Sequence, residues 1–231
     1  MVSQTLSARG RTLTEASSKH WLATFDIPVT RTEEARNAEE AVQWADEFGY
    51  PVVMKVSSRN IVHKSDIGGV ILGVSDATAV RETFEDLMAR ASLVGGDAEV
   101  QGVSVQRQVP PGTELVVGTF TDPQFGPVVM VGLGGVFVEV LGDVAFGVTP
   151  LTTKDAARML RGLRGYPVLE GARGRTGVNM EAVEALLVAV SRFADQNPEV
   201  LALDLNPVIA DGDALVAVDA SIVVEESTRG H

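Results

Sequence analysis

Three short stretches of the 231-residue sequence place reactive side chains where chemistry would use them. Lys55 stands inside Val52-Val53-Met54-Lys55-Val56. A cation in a short apolar strand is costly unless a partner neutralises it or the side chain reaches the strand's mouth. A nucleotide phosphate would be such a partner; a lysine snorkelling from the strand end is the plainer alternative. His63 follows in Ile61-Val62-His63-Lys64-Ser65-Asp66-Ile67-Gly68-Gly69. Neutral imidazole is a good nucleophile toward phosphorus, and Lys64 with nearby amides can offset the charge of the product. Asp66 could accept the other ring N–H and so orient the imidazole. Gly68-Gly69 lets backbone N–H groups approach phosphate oxygens closely. A surface histidine beside a lysine is the competing reading. His20 and His231 have no comparable neighbourhood.

The third stretch runs from Asp204 to Asp219. Asp211-Gly212 is a favoured pair for a two-residue hairpin turn, because both central positions need positive φ. A tight turn there sets Ala210 against Asp213, Asn206 against Ala217 and Asp204 against Asp219. Asp204, Asn206 and Asp219 then share one face, since alternate strand residues point the same way. Two facing carboxylates repel. A hard divalent cation removes that repulsion, and two carboxylates with an amide carbonyl are the oxygen donors that Mg²⁺ takes. A hairpin with a merely wetted polar face has the same pattern, and a one-residue bulge would break the pairing.

The elements that must position these groups are legible as patterns. Thr14–Phe25 suits a short amphipathic helix closed by Asp26-Ile27-Pro28. Asn37-Ala-Glu-Glu40 reads as an N-cap, with apolar Ala41, Val42, Trp44, Ala45 and Phe48 on one side and Gly49 at the end. Tyr50–Ser58 reads as a strand buried on both faces, and Val70–Val74 as another. Ser75 is placed as the cap of a helix carrying Val80, Phe84, Leu87 and Met88. A long β section between Val103 and Val148 follows, broken by turn residues such as Pro110-Pro111-Gly112. Helices are predicted after Thr152, with Asp155 in a capping box, and from about Met180 to Ala194. The chain closes in a hairpin. The prediction is an α+β protein with two lobes: a mobile arm over residues 1–12, lobes over 13–102 and 103–224, and a disordered tail over 225–231.

Composition narrows the function. Hydrophobic residues at 45% with 22% charged suffice for one core or for two lobes sharing a cleft. Absence of cysteine rules out disulfides and thiolate metal sites. A formal net charge of -12 disfavours a nucleic-acid partner. The N-terminal segment lacks the apolar core of a secretory signal, and no apolar run reaches membrane-spanning length, which predicts a cytoplasmic protein with no membrane partner. There is no G-x-x-x-x-G-K-[ST] loop, and Gly132-Leu-Gly134-Gly135 is not a dinucleotide fingerprint. A bound nucleotide would therefore sit between lobes.

The stretch YPVVMKVSSRNIVHKSDIGGV closely resembles the phosphate-handling segment of the ATP-grasp subunit of ADP-forming acyl-CoA (acetate–CoA) ligases. The later order of GTELVVGTFTDPQFGPVVMVGLGGVFVEVLGDVAFGVTPL, GARGR and LDLNPVIADGDALVAVDAS fits as well, so the resemblance covers about Leu13 to Val224. A more distant likeness is to the succinyl-CoA synthetase β subunit. The resemblance implies an ATP-grasp fold, with ATP and Mg²⁺ as cofactors in the cleft between the lobes. It implies a partner, a CoA-binding alpha subunit or fused CoA-binding domain, in a hetero-oligomer with two copies of each. ATP and a phosphohistidine on that partner exchange phosphate, with His63 as relay. Lys55 would contact ATP phosphates, and Asp204, Asn206 and Asp219 would hold Mg²⁺. Gln106, Arg107, Gln108 and Val109 would form the hinge beside adenine, with Glu114 also in the nucleotide cleft. Glu139, in the apolar VFVEV, matches an acid near the reacting phosphate; an exposed edge-strand position is its alternative. Arg173 is read as bracing a turn. The chain departs from the family pattern at Gln106-Arg107-Gln108 and at Asn179, which touches adenine contacts rather than catalysis. Two other functions remain open: a stand-alone ATP-grasp carboxylate ligase that forms acyl phosphate directly, and a non-catalytic nucleotide-binding regulatory subunit.

Overall fold

The computed structural model describes residues 10–58, 67–93, 100–135, 141–171 and 177–225. His63, Glu139, Arg173 and all of the expected tail except Glu225 lie outside them. Two compact units are present. The smaller holds Thr14–His20 and Thr30–Pro110; the larger holds Trp21–Val29 and the chain from Pro111, with the segment up to Leu13. The sequence placed the division near residue 103. It falls later because the strand there runs unbroken from Val100 to Arg107 and is hydrogen-bonded on both sides within the smaller unit.

In the smaller unit a four-stranded antiparallel sheet has the order β2-β5-β3-β4, formed by β2 (Thr32–Ala35), β3 (Val52–Ser58), β4 (Val70–Val74) and β5 (Val100–Arg107). Helices α2 (Ala38–Phe48) and α3 (Ala77–Leu93) cover one face. Val52, Met54 and Val56 point toward that apolar layer with Val103, Val105, Phe84 and Leu87. By strand alternation Val53, Lys55 and Ser57 face the other way. The seven residues of β3 are all buried, as their near-continuous apolar run predicts. Helix α1 (Glu15–Ala23) supplies Glu15 and Lys19 to that second face.

Caps explain where these helices begin. Asn37 accepts a hydrogen bond from the Glu40 N–H at 2.9 Å, and Gly49 ends α2 at φ 77° with its N–H on the Ala45 carbonyl. The start of α3 differs from expectation. Asp76, not Ser75, accepts the N–H groups of Thr78 and Ala79, both at 2.9 Å; the Ala79 bond, then a bond from the Ser75 hydroxyl and that from Thr78, hold its carboxyl below the ordinary range. A carboxylate at this position also meets the positive end of the helix dipole, an advantage the serine hydroxyl lacks.

The larger unit is built on a seven-stranded antiparallel sheet, β1-β11-β9-β6-β7-β8 with β10 alongside β9. Its strands are β1 (Gly10–Thr12), β6 (Thr113–Asp122), β7 (Gly126–Leu133), β8 (Val144–Val148), β9 (Val200–Asp211), β10 (Ala214–Ala217) and β11 (Ser221–Glu225). Residues 10–12, expected as part of a mobile arm, pair with β11 instead. Helices α4 (Thr153–Arg161), α5 (Tyr166–Leu169) and α6 (Met180–Gln196) complete the unit. Leu186, Leu187, Val190 and Phe193 of α6 pack with Leu115, Val117, Val129 and Val131 of the sheet. The predicted capping box at Thr152 and Asp155 is present.

The two candidate caps can be separated by mutation. Asp76→Ala should lower unfolding free energy by about 1 kcal/mol, and Ser75→Ala by clearly less. Chemical denaturation of both variants checks this.

Candidate functional site

In the smaller unit the chemistry gathers on the face of the sheet away from α2 and α3. Lys55, Ser104, Gln106 and Thr32 come to the same face because Lys55 pairs with Ser104, and Gln106 pairs with both Val53 and Thr32. The Lys55 ammonium donates to Glu15 Oε1 at 2.7 Å, and the same oxygen accepts from Lys19 Nζ at 2.7 Å. Lys19 donates further to Gln106 Oε1, Thr30 Oγ1 and Thr32 Oγ1 at 2.7, 2.8 and 2.9 Å. The side chains of Lys19, Glu15 and Lys55 are 2%, 3% and 6% exposed. Buried ions stand only when closely paired, and here one carboxylate oxygen is shared by two ammonium groups with polar neighbours around Lys19. Lys55 therefore does not snorkel. Its charge is met by a carboxylate of the protein, which the strand pattern alone did not reveal. Glu15 and Lys19 were missed as well, although their i,i+4 spacing was the available signal.

Gly68 and Gly69 serve the backbone at the start of β4. Gly68 has φ 63° and its carbonyl accepts from Arg90 Nη1 at 2.9 Å, while the Gly69 carbonyl accepts from the Val56 N–H at 2.9 Å. A side chain at residue 68 would be strained and would collide with Arg90.

Arg107, Gln108 and Val109 line a cavity of about 580 Å³ with Thr30, Arg31 and Phe48. The Arg31 guanidinium lies 5.2 Å from the Phe48 ring centre and 5.7 Å from that of Trp44. Gln108 is fixed at both ends. Its N–H donates to the Pro51 carbonyl at 3.0 Å, and its amide oxygen accepts from the Gly73 N–H at 2.7 Å. Gln106 does not line this cavity, since its side chain is committed to the buried lysine network.

In the larger unit the terminal hairpin differs from expectation by two residues. Ala214 pairs with Asp211, so Gly212-Asp213 forms the turn. Ala217 pairs with Val208 and Ser221 with Asp204, which sets Asp219 level with Asn206 rather than Asp204. The slip is even, but β9 also bulges between Leu205 and Val208, which lie opposite Val117 and Leu115 of β6, so simple alternation does not run unbroken through Asn206. Asp204 and Asp219 still sense each other. Burial holds the Asp204 carboxyl above the ordinary carboxylate range, and the negative charge of Asp219 adds to the effect. Asp219 accepts the Ala220 N–H at 2.9 Å, and Asn206 is exposed. Glu114, also in this unit, is exposed, and its backbone carbonyl accepts the Gly134 N–H at 2.7 Å. Among the described residues no cluster of three or more His, Cys, Asp or Glu side chains forms, so a metal here would rest on two carboxylates and an amide. That donor set, held with its two charges in mutual repulsion, fits a hard divalent cation. No helix among the described residues is long and apolar enough to cross a membrane.

Comparison with known proteins covers the whole of this architecture. The model of the ATP-grasp domain family matches residues 4–224. The beta subunit of acetate–CoA ligase (ADP-forming) I from Pyrococcus furiosus is 46% identical over 217 residues, 94% of each chain. Among solved structures, dinucleotide-forming acetyl-coenzyme A synthetase 1 of Ca. Korarchaeum cryptofilum, in complex with coenzyme A, Ca-AMPCP and HgCl+, superposes with a TM-score of 0.91. It is 41% identical and is matched over 93% of this chain and 94% of that one. A second structure of that enzyme holds coenzyme A and Mg-AMPPCP, its phosphohistidine segment pointing towards the nucleotide binding site. The TM-score there is 0.82, at 39% identity and 93% of each chain. An antiparallel sheet carrying a buried lysine, a second sheet ending in an acidic hairpin, and likeness along nearly the full length together place this chain in the ATP-grasp family, among the beta subunits of ADP-forming acetate–CoA ligases.

Proposed function

We propose that this chain is the cytoplasmic nucleotide-handling subunit of an ADP-forming acyl-CoA synthetase. It exchanges phosphate between Mg-ATP and a phosphohistidine on a CoA-binding partner, by way of His63. The observation that carries this reading is the likeness to the Pyrococcus furiosus beta subunit over 94% of both chains. The partner is a separate alpha subunit or a fused domain, assembled as two copies of each.

The phosphoryl group passes by in-line displacement. An imidazole nitrogen of His63 attacks the terminal phosphorus, the bond to the bridging oxygen breaks, and ADP leaves; the reverse sequence makes ATP. Lys55 offsets charge on the phosphate chain, and Glu139 is assigned by the family resemblance as the acid of the transfer step. Asp204, Asn206 and Asp219 hold Mg²⁺, which when bound neutralises charge on phosphate oxygens. Arg107, Gln108 and Val109 border the base, and Glu114 lies at the rim of the nucleotide site.

The relay is tested with γ-phosphate-labelled ATP. His63→Asn should lose acid-labile labelling of this chain and keep its affinity for Mg-ATP; labelling that persists undiminished would exclude the relay.

The metal reading has a pH signature. A carboxyl held above its unfolded value binds its proton more tightly in the folded chain. Without metal, stability should therefore fall as pH rises from the ordinary carboxylate range through the raised value of Asp204. Asp204→Asn removes that loss. In chelator at neutral pH its melting midpoint should rise, by about 2–4 °C for each kcal/mol of repulsion relieved in a chain of this size. Its stabilisation by Mg²⁺ should disappear. A variant that melts below the parent in chelator and responds fully to Mg²⁺ would refute the assignment.

A further inference from the structure

Lysine has four rotatable bonds and a point charge, so a lysine that must meet a phosphate binds best when its ammonium is already held in place. One restraint on Lys55 is Glu15, whose Oε1 accepts its ammonium at 2.7 Å. Glu15 is itself unable to follow a moving partner. Its same oxygen is bound by Lys19, and Lys19 is fixed by Thr30, Thr32 and Gln106 on two further segments of the unit. The three charged side chains are almost wholly buried, so water cannot substitute for a lost contact. Thr32 and Gln106 are paired neighbours in adjacent strands, and Gln106 leads directly into the cavity-lining segment 107–109. Lys19 therefore ties the frame of the cavity to the carboxylate that holds Lys55.

We propose that Glu15 is a positioning residue for Lys55: anchored by Lys19, it presets the ammonium for the nucleotide's phosphates. The proposal rests on the reading of Lys55 as the phosphate-facing lysine. Phosphate affinity should then depend on Glu15, while affinity for the nucleoside portion should not.

Binding of ATP and of adenosine to the full chain separates the possibilities, measured for the parent, Lys55→Met, Glu15→Gln and Glu15→Gln/Lys19→Met. The double variant also removes the second ammonium, and so relieves the repulsion that could unfold the single one. Both Glu15 variants should bind ATP about tenfold more weakly, the scale for losing a hydrogen bond to a charged group. Both should bind adenosine as the parent does. Equal weakening toward ATP and adenosine would make Glu15 a structural residue and overturn the proposal. Full ATP affinity in both Glu15 variants, with Lys55→Met impaired, would overturn it while leaving the role of Lys55 intact. Full ATP affinity in Lys55→Met would remove the reading on which it stands.

Discussion

One carboxylate oxygen, Oε1 of Glu15, joins two buried ammonium groups, and much of the smaller unit is arranged to make that tolerable. Each ion taken out of water forfeits several kcal/mol of hydration, recovered only when geometry is good and the remaining donors are satisfied. This requirement fixes the first turn of α1 against the sheet. It also accounts for threonines at residues 30 and 32 and a glutamine at 106, where an apolar face would otherwise stand. The opposite face of the same sheet carries no such demand, and Val52, Met54, Val56, Val103 and Val105 pack there as an ordinary apolar layer.

The larger unit treats charge differently. Asp204 and Asp219 are like charges held near each other, and burial pushes the Asp204 carboxyl toward its neutral form. In one unit a carboxylate bridges two buried ammonium groups, whereas the hairpin of the other sets two carboxylates near each other. The first arrangement holds Lys55 rigidly. The second stores unfavourable electrostatics of the kind that functional sites commonly hold.

Much of the architecture was legible because local rules act over short distances. The caps at Asn37 and Thr152, the buried strand around Lys55 and the helix before Gln196 all follow from nearest-neighbour hydrogen bonding and apolar period. Errors arose where two local signals were equally good. Ser75 and Asp76 both cap helices, and the helix dipole favours the charged one. Asp211-Gly212 and Gly212-Asp213 both suit a tight turn, and pairing along the whole of β9 with β10 and β11 selects the latter.

By itself the sequence determined the order of elements, the apolar faces, the acidic hairpin and the segments that mark an ATP-grasp relative, since each is written in residues a few positions apart. Only the tertiary structure decided what neutralises Lys55. Glu15 lies 40 residues before it, and strand alternation leaves the facing partner of a buried ion unspecified. Long-range strand pairing likewise decided that β5 joins β2 and β3 and that residues 10–12 form a strand, because ladder hydrogen bonds depend on which distant segment is adjacent, not on the segment's own residues.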